Sequence, residues 1–262
     1  MTDQAVLWSL DSRGVARVTL NRPEVGNAYN GDMIAGLLTA MDELGKQPGL
    51  RVVVLSGNGR HFQAGADLKW IRSVSAASPE DNVVASRATA EAVDRLNRLP
   101  VPTVALVQGG CFGGGTGVIA ACDVVIAADN ATFSISEVRW GLTAAIILPQ
   151  LSDAIGARQV RRYALTGERF GAEEAVRIGL AHKKVPLAEL STAGDQMVAQ
   201  LLENGPNAMA ETKQIALQSA WGGFSRGTFE SLVESHAAKR RSEEAAEGLA
   251  SFAEKRAARW KA

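Results

Sequence analysis

Three short segments carry residue types that could do chemistry. They are Ala64-Gly65-Ala66-Asp67-Leu68, the run Gly109-Gly110-Cys111-Phe112-Gly113-Gly114-Gly115-Thr116-Gly117, and Ser136-Glu137-Val138-Arg139-Trp140-Gly141-Leu142. The glycine run follows an apolar, strand-like stretch and opens a helix-like one. Its N–H groups would lack intrahelical partners and stand at the positive end of a helix dipole. Glycines admit close approach of a ligand to the main chain, and a strand–glycine loop–helix of this kind can cradle a phosphate. The spacing is not G-x-x-x-x-G-K-[ST], nor is it a dinucleotide fingerprint in a first βαβ unit. Alone, a triple glycine is as readily a packing device as a binding one. Glu137 follows an expected strand in an apolar setting, where burial would raise its pKa toward the range of a working acid/base.

Other chemistries find less support. His61, His182 and His236 are scattered without a spacing such as H-x-x-x-H, so no metal site is expected. The nucleophile elbow G-x-S-x-G is absent. Cys111, beside the glycine turn, reads as a small apolar core filler. With Cys122 it makes two reduced thiols rather than a disulfide framework.

The elements that must position these segments alternate. Val6–Leu10 and Val15–Leu20 read as strands joined by a hairpin at Asp11-Ser12-Arg13-Gly14. A helix is expected to start near Asn30–Asp32, with Met33, Leu37, Leu38, Met41 and Leu44 on one face. Arg51–Ser56 is a continuous apolar run, as in a sheet buried on both sides, and a long polar helical stretch leads to Arg98. Val104–Val107, Asp123–Ala127 and the short Phe133–Ile135 are further strands. From Ala154 the pattern turns helical: Ala157–Thr166, Ala172–Ile178, Leu187–Leu202, Asn207–Ser219 and Thr228–Lys255. Alternation followed by helices predicts an α/β fold with a helical C-terminal part.

Lys plus Arg and Asp plus Glu both number 28 in 262 residues, so the net charge is zero, which argues against a nucleic-acid partner. Lys239, Arg240 and Arg241 form only a local basic cluster, read as a solvated helix face. No apolar run reaches the ~20 residues that span a bilayer, and Met1–Leu10 lacks the layout of a signal peptide. A cytoplasmic protein is expected.

Taken together, the three segments resemble the crotonase (enoyl-CoA hydratase/isomerase) superfamily. Leu20-Asn21-Arg22-Pro23, Asn27-Ala28, Ala121-Cys122-Asp123, Ala154-Ile155-Gly156, Leu165-Thr166-Gly167, Ala172–Ala175 with Gly179-Leu180, and Phe252-Ala253-Glu254-Lys255-Arg256 extend the resemblance over nearly the whole chain. It implies a ClpP/crotonase-like spiral of β-β-α turns at 1–195, holding the CoA and catalytic site, and a helical trimerisation region at 196–262. It also implies a homotrimer or a homohexamer built as a dimer of trimers. The partner is an acyl-CoA substrate, with coenzyme A part of that substrate and no separate cofactor. By the same resemblance, the N–H groups of Ala66 and Gly114 form an oxyanion hole for the enolate of the thioester. The main chain around Ala64, Ala66 and Leu68, with Asp67, is the adenine-binding stretch. Arg22, Val25 and Lys69 lie where CoA phosphates or pantetheine are contacted, and Phe252 and Lys255 match a C-terminal pair that reaches CoA. Gly113, Gly117, Arg139 and Trp140 are the expected substrate-binding positions.

Hydratases with two glutamates carry one two residues after the triple glycine and another twenty residues later. Here those positions are Gly117 and Glu137, so only the second carboxylate is kept. The texts Ser136–Leu142 and Arg161-Arg162-Tyr163-Ala164-Leu165-Thr166 look most like bacterial 3-methylglutaconyl-CoA and isohexenylglutaconyl-CoA hydratases of leucine and acyclic-terpene degradation. That implies Glu137 as sole acid/base, with Arg139 available for a distal carboxylate. A Δ3,Δ2-enoyl-CoA isomerase or a non-catalytic acyl-CoA-binding member are the alternatives. The run Leu142–Leu148 would either line an acyl pocket or pack.

Overall fold

The computed structural model describes residues 4–222, 227 and 242–261. The chain opens with β1 (Val6–Leu10) and β2 (Val15–Leu20), paired antiparallel through the predicted hairpin. Asn30 caps α1 (Gly31–Gly45), its side chain accepting from the Met33 N–H at 3.0 Å. Next come β3 (Val52–Gly57), α2 (Leu68–Ser75) and α3 (Pro79–Asn97). The single helical stretch expected before Arg98 is thus two helices, because Ser78 caps a new start with Pro79 in its first turn.

The site-bearing half follows: β4 (Thr103–Val107), β5 (Gly110–Phe112), α4 (Gly114–Ala120), β6 (Val124–Ala128) and β7 (Thr132–Ser134). Then come α5 (Leu148–Thr166), β8 (Phe170–Gly171), α6 (Ala172–Ile178), β9 (Lys183–Val185), α7 (Leu190–Leu202) and α8 (Pro206–Gly222). Gly156, at φ 73° and ψ 148°, breaks α5 into two helical runs: the second starts at the expected Ala157, and the first, opened by Pro149, is an addition to the expected pattern. Two helical expectations are corrected. Leu187–Glu189 is a separate 3-10 turn ahead of α7. The last helix runs Glu243–Ala253 and stops short of Lys255, which adopts φ 54°. The rest of the predicted Thr228–Lys255 helix, including His236 and the basic cluster at 239–241, lies outside the described residues.

The large sheet has the order β1-β2-β3-β4-β6-β9, parallel from β2 onward. Both faces are buried, as the continuous apolar runs require. Val53 and Leu55 face one core cluster with Val18 and Leu20, whereas Val52 and Val54 face another with Val15, Val104 and Ile126. α7 covers the second face, where Gly194 lets the helix sit flush on Leu106. The expected boundary at 195 falls inside α7, whose Leu190, Ala193 and Val198 all pack on this face.

A second sheet, β5-β7-β8, is built by the segments that continue past the large one. β4, β5 and α4 make one β-β-α turn, and β6 with β7 begin the next. Each turn carries the chain past the C-terminal end of a parallel strand, where ligands bind in open α/β sheets.

Candidate active site

Two segments meet at that end. Residues 58–67 follow β3, residues 108–113 follow β4, and main-chain bonds stitch them: Gln63 N–H to Gly110 O at 3.1 Å and Phe112 N–H to Gln63 O at 2.9 Å. The Gly113 N–H donates to Ser134 O at 2.9 Å, tying the glycine turn to β7. Gly113 sits at φ 52°, a conformation a side chain would strain. Its carbonyl is held by the buried Thr116 hydroxyl at 2.7 Å.

This scaffold leaves two N–H groups open. Among the described residues neither Ala66 nor Gly114 donates a main-chain hydrogen bond, although their neighbours do. Gly114 is the first residue of α4, so its N–H has no intrahelical acceptor and lies at the positive end of the helix.

Glu137 begins the 3-10 turn Glu137–Trp140 that follows β7. A Cβ on Gly113 would lie 3.2 Å from Glu137 Oε1, so carboxylate and glycine turn are in contact. Glu137 Oε2 is buried and has no hydrogen-bond partner among the described residues. Burial raises the carboxyl above its ordinary pKa, with the Glu137 N–H itself opposing in part.

Gly117 resolves differently from its neighbours. A Cβ there would lie 2.2 Å from Ile147 Cγ2 and 2.4 Å from Ile147 Cβ. Ile147, 2% exposed, therefore occupies the place where a side chain at 117 would project. The missing carboxylate is replaced by packed hydrocarbon; of the run Leu142–Leu148, Ala144 and Ile147 join the core and Leu148 packs against it. Ile146 instead lines a groove of about 600 Å³ with Asn82, Val83, Arg87, Glu91 and Asp94 of α3.

Tyr29 is a site residue that the motifs did not single out. Its N–H donates to Gly65 O at 2.8 Å and its carbonyl accepts from the Asp67 N–H at 2.9 Å, so it brackets Ala66. Its ring covers Gly114, with Cε1 2.7 Å from where a Cβ on that glycine would stand. The ring also makes an edge contact with Trp70 at 5.6 Å between centroids. Burial, and then the Glu137 charge, push its phenol to about 12. Only the adjacent Asn27-Ala28 text marked this position.

The expected CoA residues cluster as a strand-loop platform. The Ala64 N–H donates to Gly26 O at 2.8 Å, joining the loop that holds Arg22 and Val25 to the one that leads to Leu68 and Lys69. Val25, Leu68 and Lys69 are exposed. The Arg22 guanidinium is turned inward, bonding Ala28 O at 2.5 Å and Asp67 Oδ2 at 3.1 Å. Asp67 also caps α2 through Oδ1, which accepts from the Lys69 N–H at 2.9 Å. These two side chains shape the platform.

Arg139 and Trp140 are not brought to Glu137. The Arg139 side chain lies against Gly167, with Nε 2.9 Å from where a Cβ on that glycine would stand. It makes no ion pair among the described residues, and Trp140 is 67% exposed. The Phe252 side chain lies outside the described residues. Lys255 is exposed in a C-terminal segment whose Trp260 carbonyl accepts from Arg51 Nη1 at 3.2 Å, at the N-terminal end of β3. That is the end of the strand away from Ala66.

A buried carboxylate without a partner, beside two open main-chain donors, is the equipment of an enzyme that moves a proton next to a carbonyl and holds the negative oxygen that results. The enoyl-CoA hydratase/isomerase family model matches residues 11–262, and the chain belongs to that family. Hydroxycinnamoyl-CoA hydratase-lyase of Pseudomonas fluorescens is 36% identical over 217 residues, 81% of this chain and 75% of that protein. Trans-2-decenoyl-[acyl-carrier-protein] isomerase of Streptococcus mutans is 32% identical over 230 residues, 86% of each. The crystal structure of an enoyl-CoA hydratase from Shewanella pealeana superposes with a TM-score of 0.93 at 35% identity, covering 98% of this chain and 96% of that one. The spiral of β-β-α turns is the crotonase fold. Among the described residues no helix is long and apolar enough to cross a membrane.

Proposed function

We propose that the enzyme adds water across the α,β double bond of a branched glutaconyl-type CoA thioester, 3-methylglutaconyl-CoA or isohexenylglutaconyl-CoA, with Glu137 as its sole acid/base. The observation that carries this reading is Ile147 packed at Gly117 together with a Glu137 Oε2 that has no hydrogen-bond partner among the described residues. A second carboxylate has no room, and the one present is free to act. Glu137, ionised, accepts a proton from water as the water oxygen bonds to the β-carbon. The electron pair of the double bond moves to the thioester oxygen, held by the N–H groups of Ala66 and Gly114; each such donor is worth roughly 3–4 kcal/mol. Glu137 then returns the proton to the α-carbon on the same face. CoA lies along Val25, Ala64, Leu68 and Lys69.

The distal carboxylate of the substrate is the feature a guanidinium would recognise. Arg139 carries no acid partner among the described residues and fits that role. Arg87, on the groove beside Ile146, is its competitor. Exposed Trp140 and Leu165 support a face covered in a homotrimer or a dimer of trimers, which sedimentation would measure.

The test is hydration of 3-methylglutaconyl-CoA against crotonyl-CoA in labelled water, followed by loss of enoyl-thioester absorbance. Preference for the glutaconyl ester, with one labelled oxygen in the product, is expected. Double-bond migration without label would instead establish a Δ3,Δ2-isomerase. If Arg139 meets the distal carboxylate, Arg139→Ala erases the preference for the glutaconyl ester and Arg87→Ala does not.

A further inference from the structure

Glu137 and Tyr29 approach the glycine turn at consecutive residues. The carboxylate lies against Gly113, with Oε1 3.2 Å from where a Cβ would stand, and the Tyr29 ring lies against Gly114. The ring carbon that bears the hydroxyl, Cζ, is 3.4 Å from the Cβ position of Gly114. The phenol end of Tyr29 is thus held at the turn that presents the open Gly114 N–H. Among the described residues nothing hydrogen-bonds to the Tyr29 hydroxyl, and Glu137 Oε2 is equally without a partner.

Other groups near this point are accounted for. The Thr116 hydroxyl is bound to Gly113 O, and Ile147 fills the place beside Gly117. Ser136 Oγ lies 3.7 Å from the Cβ position of Gly113, on the residue next to Glu137. Ser136 is therefore the control, a second hydroxyl close to the same turn.

We propose that Tyr29 is a further catalytic residue for hydration, its hydroxyl holding the attacking water against Glu137 while its main chain and ring set the two N–H donors. This rests on the hydratase reading above. A water that donates one proton to Glu137 and accepts from the phenol keeps one lone pair free, and the two contacts aim that pair at the β-carbon. The water O–H bond breaks toward Glu137 as the carbon–oxygen bond forms. Tyr29 gives up no proton, in keeping with a phenol pushed to about 12. The ring role is separate: Tyr29 main chain brackets Ala66 and its ring covers Gly114, so one residue fixes the spacing of both donors.

The two roles separate experimentally. Exchange of the α-protons of 3-methylglutaryl-CoA with solvent deuterium needs Glu137 and the two N–H donors, but no aimed water. For Tyr29→Phe, which keeps the ring, hydration kcat on 3-methylglutaconyl-CoA should fall about 10- to 100-fold, the scale for loss of one hydrogen bond to a group that gains charge in the reaction. KM and α-proton exchange should stay close to wild type. Tyr29→Leu should lower both hydration and exchange, and Ser136→Ala neither. The proposal is overturned if Tyr29→Phe hydrates at the wild-type rate, if exchange falls in proportion to hydration, or if Ser136→Ala reproduces the loss. A wild-type enzyme that exchanges α-protons yet incorporates no labelled oxygen would sink the hydratase reading, and this role with it. Wild-type hydration with an unaffected Tyr29→Phe sinks this role alone.

Discussion

Asp123 and Glu137 are carboxylates at opposite ends of the same architecture. Asp123 precedes β6 at the N-terminal edge of the large sheet. Its Oδ2 accepts from the Thr103 N–H at 2.7 Å, the Thr103 hydroxyl at 2.9 Å and Lys213 Nζ at 2.7 Å. Glu137 follows β7 beyond the C-terminal edge, and its Oε2 accepts from nothing among the described residues. A carboxylate tied three ways fixes α8 to the sheet and can do no other work. One left in a buried setting with its pKa raised destabilises the fold slightly and stays available for chemistry. A similar contrast runs along the glycine turn: Gly113 faces the Glu137 carboxylate, whereas the Tyr29 ring covers Gly114 and Ile147 fills the space beside Gly117.

The largest test of that contrast is Gly117→Glu. Restoring a second carboxylate drives a side chain into Ile147, and we expect a loss of about 3 kcal/mol in denaturant unfolding, the range for overpacking. Combined with Ile147→Gly, which vacates the space, the glutamate should fit and activity on crotonyl-CoA should rise. If Gly117→Glu alone keeps full stability, Ile147 is not the constraint.

Lys213→Ala attacks the tied carboxylate. With Lys213 only 9% exposed, we expect about 1–3 kcal/mol lost from the charged hydrogen bonds. Turnover measured well below the melting transition should not change. A fall in kcat without a fall in stability would contradict the division between the two ends.

Glu137→Gln should do the opposite to stability. A carboxylate whose folded pKa lies above its unfolded value favours folding at low pH, and that contribution is lost as pH rises through the window between the two. Removing the charge should therefore raise Tm at pH 7 by about 1–3 °C, with the gain fading in acid. Because the ionised form is the base, the acidic limb of kcat/KM in the wild type should inflect above the ordinary carboxylate range. An inflection at the ordinary value would mean that Glu137 is solvated during turnover.

Much of this was legible in the residues. The strands buried on both faces announced themselves as unbroken runs such as Val52–Leu55, and the glycine turn with Glu137 pointed to the end of the sheet where the candidate site lies. β5 escaped, because Gly110–Phe112 carries no strand pattern and is made a strand by pairing with Thr132–Ser134. The partnership of Gly117 with Ile147 escaped for a related reason: it joins α4 to the turn ahead of α5 across the fold, and neither residue is unusual alone. Arg22 read as a phosphate contact, yet a sequence cannot show that Asp67 and Ala28 O already engage its guanidinium. Tyr29 was hidden in a loop, where an aromatic has no periodic face to betray it.

The claim at the centre is that Glu137, unaided by a second carboxylate, moves the α-proton. Exchange of that proton in 3-methylglutaryl-CoA with solvent deuterium, measured for wild type and Glu137→Gln alongside CoA-ester affinity, tests it most directly. We predict exchange lowered by about 10³-fold, within the range for a positioned acid/base, with affinity nearly unchanged. Wild-type exchange in Glu137→Gln would place the acid/base elsewhere and contradict the account.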